Sequence, residues 1–598
     1  MKTFIKTFIR MLKANKGRFI ANMLMVLLSL TISAGLLSLT GTVRESLGSK
    51  MDKEAIADII IKSPNIEGFK DEEITKINSL DYVLDIYPLF TYDINENDTI
   101  YRKYSLDFSY NNINKIKILE GKLPSNINEC VLEQSNEYLI DYKIGDTITL
   151  SQIEYKVVGI VENPLYLSTS KEPYLLNIDE SVDVIMYTDS KYDPYKMPYT
   201  DLLIDIDTNK KYFSNDYDDY IDDIIKELKI ELGDSFTYLS LNENPSYELF
   251  RTYTRKIELI AYIFPLFFIV VTALVILITL TRLIQDERKL IACYQSLGIK
   301  KSWIINKYVI FAIMFSFIGG ILGLFIGVYG VPKVVYPVFR SIFYMPSIIY
   351  SPNYILGFSL VLILVLISII IIIYIVGKEL KETPAALFLN KAPKPGRRIL
   401  LERIPLIWKP LPFRYKSSIR NIVRKKKNFI LTMLSVIGSS VLIFIGFALY
   451  DNSVYLKDDP LFGTVIDSIG LISFVIILFA MGMCILIIYN LNNMNILERQ
   501  RELATLKVLG YQNIECSFYT FREILIISTI GAILAIPVSY ILVKYVFIYL
   551  DFGSIDYVRL YSYILPFSII ILLTVLVNFL LYKKVVNINM NDSLKTLD

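Results

Sequence analysis

Eight apolar runs, each long enough to cross a lipid bilayer as a helix, punctuate this 598-residue sequence and exclude most soluble folds. A bilayer core of about 30 Å needs about 20 apolar residues in helical form. The runs lie near residues 19–41, 259–281, 304–331, 354–376, 429–450, 466–490, 523–546 and 560–582, and the fourth, Tyr354 to Val376, holds no charge. The basic stretch before the first run, with Lys2, Lys6, Arg10, Lys13, Lys16 and Arg18, looks like the start of a signal peptide. The run that follows is too long for a secretory h-region, so it reads as an uncleaved span. The expected fold is an α-helical polytopic membrane protein of eight transmembrane helices in two four-span repeats. One extracytoplasmic α+β domain lies between the first and second spans.

Charge sets the orientation. The net charge of +3 conceals 41 acidic against 22 basic residues between Thr42 and Arg255, a net of −19, beside a net of +22 for the remainder. Basic residues mark cytoplasmic loops. Residues 1–18 hold six basic and no acidic residues, and 378–428 hold fifteen against three. The expected topology is a multi-pass cell-membrane protein with both termini cytoplasmic and residues 42–255 outside. The outer loop from Val331 to Pro352 carries Lys333 and Arg340 against this rule. No run has a charge near its centre, where ion-coupled carriers commonly keep one, and Asn578 is the strongly polar residue well inside the last span.

The sequence has no histidine, which removes His-dependent catalysis and His-ligated metal sites. Cys130, Cys293, Cys484 and Cys516 lack metal or redox spacing, and Cys130 has no partner within the acidic block. A phosphate loop of the GxxxxGK[ST] type is missing, so ATP chemistry would have to come from another chain. The aspartates at 216, 218, 219, 222 and 223 lack calcium-loop spacing and read as a solvated helix face. The acidic block favours cationic ligands electrostatically or serves solubility alone. Short strand patterns recur at Ile59–Ile61, Thr147–Leu150, Tyr155–Val161 and Asp183–Tyr187, with helical stretches at Asp71–Ser79 and Tyr217–Leu232.

The chain repeats itself. Phe8-Ile9-Arg10 matches Ser418-Ile419-Arg420 at an offset of 410, a match that continues through Met23 with Met433 and Val26 with Val436. Asp286 to Lys301, DERKLIACYQSLGIKK, lies over Glu498 to Asn513, ERQRELATLKVLGYQN, at an offset of 212. With that offset Gly319, Gly323 and Gly327 fall on Gly531, Ala535 and Ser539, and such spacing predicts close helix packing in lipid. Thr383-Pro384-Ala385-Ala386-Leu387 weakly matches Met590-Asn591-Asp592-Ser593-Leu594. The reading is two fused four-span units, with the large outer domain kept only in the first.

ERQRELATLKVLG followed by a span resembles the signature of FtsX-like or MacB-type permeases, the membrane subunits of type VII ABC transporters. LEGKLPSNINECVLE, YKIGDTITL and YKVVGIVENP, within Leu119 to Pro164, are similar to that family's periplasmic core domain. The resemblance implies a non-enzymatic membrane subunit that works with two copies of an ABC ATPase. ATP and Mg would sit in that partner, with no cofactor, metal or nucleic acid bound by this chain. It implies that two coupling helices contact the ATPase subunits. The first would use Asp286, Glu287, Arg288, Leu290, Tyr294, Leu297 and Gly298. The second would use Glu498, Arg499, Arg501, Glu502, Leu503, Leu506, Lys507, Leu509 and Gly510. Each stretch carries an apolar stripe at helical spacing, and Gly298 and Gly510 stand where a helix would end. The first copy has Lys289 and Leu290 where the second has Arg501 and Glu502, which leaves equal engagement of the two open.

The expected function is ATP-driven export, extraction or mechanotransmission of amphiphiles such as antimicrobial peptides, drugs, lipids or lipoproteins. The alternative is ATP-driven regulation of a cell-wall hydrolase or sensor kinase, with an ion-coupled carrier the weaker third. Lys, Asn, Ile and Tyr usage suits a low-GC Gram-positive bacterium. The expected division is an interfacial amphipathic helix (1–18), first span (19–41), core domain (42–255), first three-span unit (256–390), basic linker with a second amphipathic helix (391–428), fifth span (429–450), short outer loop (451–465) and second three-span unit (466–598). The interfacial helix reads as a lever along the membrane or as a topogenic anchor.

Overall fold

The computed structural model describes residues 2–64, 67–97, 99–110, 112–134, 142–167, 182–193, 197–388, 402, 409–410, 412, 416, 419–420, 426–455, 466–550 and 553–588. The basic linker, most of the short outer loop and the Met590 to Leu594 match lie largely or wholly outside these residues. The chain divides into two units. One comprises Met1–Leu39, Glu258–Val334 and Pro352–Asp598, and the other Thr40–Ile257 and Val335–Ser351.

Among the described residues eight helices are long and apolar enough to span a membrane. They are Lys16–Glu54, Pro245–Asp286, Lys301–Ile342, Tyr354–Glu379, Lys426–Tyr455, Ile466–Glu498, Asn513–Leu550 and Leu560–Val586, the first to eighth spans. Four of them, each 38 residues or longer, run well beyond their apolar cores. The first continues to Glu54 because Val43, Leu47 and Met51, spaced four apart, are buried along one face. The helix Lys2–Ala14 precedes it. Phe4 sits edge-on to Trp303 at 4.8 Å and Met11 is buried, whereas Ile5 and Ile9 on the adjacent face are about half exposed.

The spaced small residues mark the closest approaches. A Cβ added at Gly319, Gly323 or Gly327 would collide with the carbonyl oxygen of Met23, Leu27 or Thr31 on the first span. The second half repeats the contact less tightly: Gly531 lies against Val436, and its added Cβ would stand 3.5 Å from the Met433 oxygen. Met23 and Met433 are themselves repeat partners, so one helix crossing recurs in both halves. Ala535 and Ser539 are buried and already carry a Cβ, which fits the wider separation. Two polar pairs lie within the bundle: Asn490 Nδ2 donates to Thr279 Oγ1 at 2.7 Å, and Asn492 donates to Asn578.

The second unit is α+β. Its ten-stranded sheet runs β10-β1-β9-β2-β3-β8-β5-β7-β4, with β6 paired to β7. The strands are β1 (Ile59–Lys62), β2 (Val83–Glu96), β3 (Thr99–Leu106), β4 (Lys117–Gly121), β5 (Glu129–Glu133), β6 (Thr147–Leu150), β7 (Ile153–Glu162), β8 (Val184–Asp189), β9 (Asp201–Ile206) and β10 (Thr237–Ser240). The 14-residue β2 joins two lobes, pairing β9 through Val83–Leu89 and β3 through Phe90–Glu96. Helices Asp71–Asn78 and Asn215–Leu232 cover the first lobe through Ile77, Tyr217, Ile221, Ile224 and Leu228. Asp218 departs from the expected solvated face: it is buried and accepts from Arg251 and, at 2.8 Å, from Asn242 Nδ2.

Of the outer loop expected at Val331 to Pro352, the first part continues the third-span helix to Ile342, and Val335–Ser351 belong to this unit. Phe343 packs edge-on to Phe250 and Tyr253, and Lys50 Nζ donates to the Tyr344 oxygen at 2.8 Å. Arg340, one of the two charges that break the inside-positive rule, donates to the Pro346 oxygen at 2.7 Å.

Asp58 is buried where β1 begins, accepting from the Tyr217 hydroxyl and, at 2.9 Å, from the Ile206 amide. Burial pushes its carboxyl up to about 7 against the lowering effect of those two donors. A carboxyl raised in the folded state contributes stability that is full below its ordinary value of 3.8 and lost as pH rises through about 7. Asp58→Asn resembles the protonated form. It is expected to flatten that dependence, raising the melting temperature of the full chain by several degrees at pH 8 and by little at pH 5, as read by calorimetry in detergent.

Candidate functional site

Two short helices, Arg288–Ser296 and Gln500–Val508, occupy the sequence repeat and share one construction. Each ends in a glycine with positive φ, +71° at Gly298 and +90° at Gly510. In the first, the Ile299 and Gly298 amides donate to the Tyr294 and Gln295 oxygens, both at 3.0 Å; in the second, Tyr511 and Gly510 donate to Leu506 and Lys507, both at 3.1 Å. This is the paired closure of a Schellman motif, which satisfies the last helical carbonyls. No atom lies within 4 Å of an added Cβ at either glycine, so Gly→Ala there acts through the backbone alone. Each substitution is expected to cost about 1 kcal/mol. Amide exchange across the turn should then speed up by about fivefold.

The turn leaves apolar side chains bare. Leu297 is 76% exposed and Leu509 70% exposed, with Leu290, Val508, Tyr511 and Ile514 also exposed. The predicted apolar stripe therefore splits into two faces. Ile291, Ala292, Leu503 and Ala504 are buried, Tyr294 and Leu506 are partly buried, and Leu290, Leu297 and Leu509 point outward. Among the polar residues Arg501 and Glu502 are exposed, and the side chain of Glu498 lies outside the described residues. Lys289 and Lys300 are exposed in the first copy, as are Arg501, Glu502 and Glu515 in the second.

Each helix is fixed at both ends within its own half. At the far end Gln295 Nε2 donates to the Leu380 oxygen at 3.3 Å, and its counterpart Lys507 donates to the Val585 and Val586 oxygens at 2.9 and 2.7 Å. Both thereby satisfy free carbonyls at the end of the last span of their half, where a cation is also favoured by the helix dipole. Lys507 thus spends its ammonium on its own chain. At the near end Arg288 pairs with Glu379 at 2.8 Å and with Glu382. Asp286 accepts from Arg18, and Glu287 accepts from Asn15 Nδ2 at 3.1 Å and from the Tyr308 hydroxyl at 2.6 Å. Lys307 Nζ, wholly buried, lies 3.7 Å from Glu287. In the second half Arg499 pairs with Glu523 at 2.6 Å, both being less than 6% exposed.

The sequence reading omits Arg18, Gln295, Lys307, Tyr308, Glu379, Glu382 and Glu523. Lys307 carries a usable signal, since it is a charge inside a run otherwise read as apolar span, whereas Glu523 stands at the first residue of the seventh run. Among the described residues no His, Cys, Asp and Glu side chains gather as a metal site. The arrangement offers two rigid, outward-facing apolar tips, each tied to a set of long membrane helices. Such a surface suits protein docking and the transfer of movement.

The family model described as FtsX-like permease C-terminal matches residues 262–380 and 474–590, covering both short helices. The model described as MacB-like periplasmic core domain matches residues 19–188. Comparison with curated proteins gives no match.

Proposed function

The chain is an FtsX/MacB-type permease, the multi-pass membrane subunit of an ABC transporter, and from that premise we propose that Leu297 and Leu509 are the tips by which it takes force from two ATPase subunits. Closure of the two subunits on ATP presses on both tips. The short helices pass this push to the spans attached to them. The spans and the α+β unit then move together to export, extract or signal the presence of an amphiphilic substrate. The tips, like both termini, lie on the cytoplasmic side in this reading, and the acidic α+β unit lies outside, where its charge favours cationic amphiphiles.

The observation that carries the proposal is the duplicated Schellman turn, which in both halves presents an exposed leucine on a helix whose opposite face is buried. An isolated interfacial helix would have no reason to carry the same exposed tip twice. Co-expressed with its ABC ATPase and reconstituted, the chain is expected to support vanadate-sensitive ATP hydrolysis, and alone to hydrolyse none. Hydrolysis by the purified chain alone would overturn the assignment of chemistry to the partner.

A further inference from the structure

Glu287 and Arg499 stand at equivalent places in the two halves, each immediately before its short helix. At this position Ser, Thr, Asp or Asn ordinarily accepts from the free amides of the first turn. Glu287 makes no such cap, and Arg499, a donor only, could not. Both reach instead to the span that follows, Glu287 to Tyr308 at 2.6 Å and Lys307 at 3.7 Å on the third, Arg499 to Glu523 at 2.6 Å on the seventh. The polarity is reversed between halves: the helix-side member is the acid in the first and the base in the second.

Burying such pairs requires desolvation of both charges, and removing one partner leaves the other stranded without compensation. The pairs are therefore strong ties only while complete. Their reversal shows that what the halves share is attraction between helix and span, whichever member carries which sign. The opposite ends of the helices are held elsewhere, by Gln295 on the fourth span and Lys507 on the eighth. The Glu287 and Arg499 ties bind the start of the short helix to the span next in sequence through buried charge, and in the first half Lys307 also lies over the Tyr294 ring at 5.1 Å.

We propose that Glu287 and Arg499 are positioning residues that fasten the short helices to the third and seventh spans through buried ionic joints, so that helix and span move as one body. This rests on the reading that ATPase subunits push on Leu297 and Leu509. Arg499 then serves the coupling from within the membrane chain and does not contact the ATPase.

The test uses the full chain co-purified with its ATPase in nanodiscs, with spin labels at Thr505→Cys and Ile533→Cys in a Cys293→Ser background. Thr505 and Ile533 are both exposed, on the second short helix and the seventh span. If helix and span move together, the label distance stays constant when ATP and vanadate are added. Arg499→Glu should make it shift by more than about 2 Å, beyond the size of ordinary helix adjustments at switching interfaces. Adding Glu523→Arg to that variant restores the pair with reversed sign and should return the constant distance. Glu523→Gln, nearly isosteric, provides a milder break should Arg499→Glu fail to fold, and it should produce the shift too. A wild-type distance that itself shifts, broken pairs that leave it constant, or a double swap that fails to restore it would each overturn the joint. Loss of the ATPase from the wild-type chain would instead overturn the docking reading on which the joint depends.

Discussion

Leu297→Asp and Leu509→Asp, made together, should strip the ATPase subunits from the membrane chain while leaving the chain folded. With three-quarters of its surface free, Leu297 makes little packing for its own helix, and Leu509 is nearly as exposed. An anchor seated centrally in a partner is typically worth about 2–4 kcal/mol, and a buried carboxylate adds a desolvation cost. Each single variant should weaken ATPase binding by about 30-fold to 1000-fold at its own tip. The measurement is ATPase retained per chain after gel filtration, with the thermal melt of the chain unchanged. Ile291 and Leu503 are unsuitable for this purpose because both are fully buried and their loss would disturb the membrane bundle itself.

Gly327→Val should cost the chain its fold. The added Cβ would collide with the Thr31 carbonyl, and with the Thr31 Cα and C atoms at 2.9 Å, none of which can rotate away. Separation of the first and third spans is the only relief, and overpacking of this kind costs about 3 kcal/mol or more. Gly323→Val should behave alike, whereas Gly330→Ala, with no atom within 4 Å of its added Cβ, should be tolerated. Gly531→Ala should fall between these extremes, because its Cβ meets only the Val436 side chain closely, at 2.9 Å. Monodisperse yield in detergent and melting temperature would rank the series.

The glycines also show what a sequence of this kind discloses. Gly298 and Gly510 were readable because a chain leaving a helix needs positive φ, and glycine supplies it at little strain. The strands at Thr147–Leu150 and Tyr155–Val161 and the helix at Asp71 were readable from local pattern, and the structure places β6, β7 and that helix there. Helix extension beyond the lipid was hidden by Arg44 and Glu45, which end the hydrophobic run although Val43, Leu47 and Met51 keep their spacing through it. Attachment of the Val335–Ser351 segment to the α+β unit depends on Phe343 meeting Phe250, some ninety residues away, which no local pattern records. The ionic joints were obscured by the repeat itself. Aligning Glu287 with Arg499 reads as a mismatch until each is seen beside a partner of opposite sign on the following span. The apolar stripe gave the helices but not which side faces outward, since Ile291 and Leu297 are alike in character and differ only in what packs on them.

The central claim, that one chain with two equivalent tips carries two ATPase subunits, is tested most directly by native mass spectrometry of the full chain co-expressed with its ABC ATPase. The expected species contains one 68.9 kDa chain and two ATPase subunits, reduced to one ATPase by either Leu297→Asp or Leu509→Asp alone. A wild-type chain that carries no ATPase, or one whose ATPase complement is unchanged when both leucines are replaced, would contradict it.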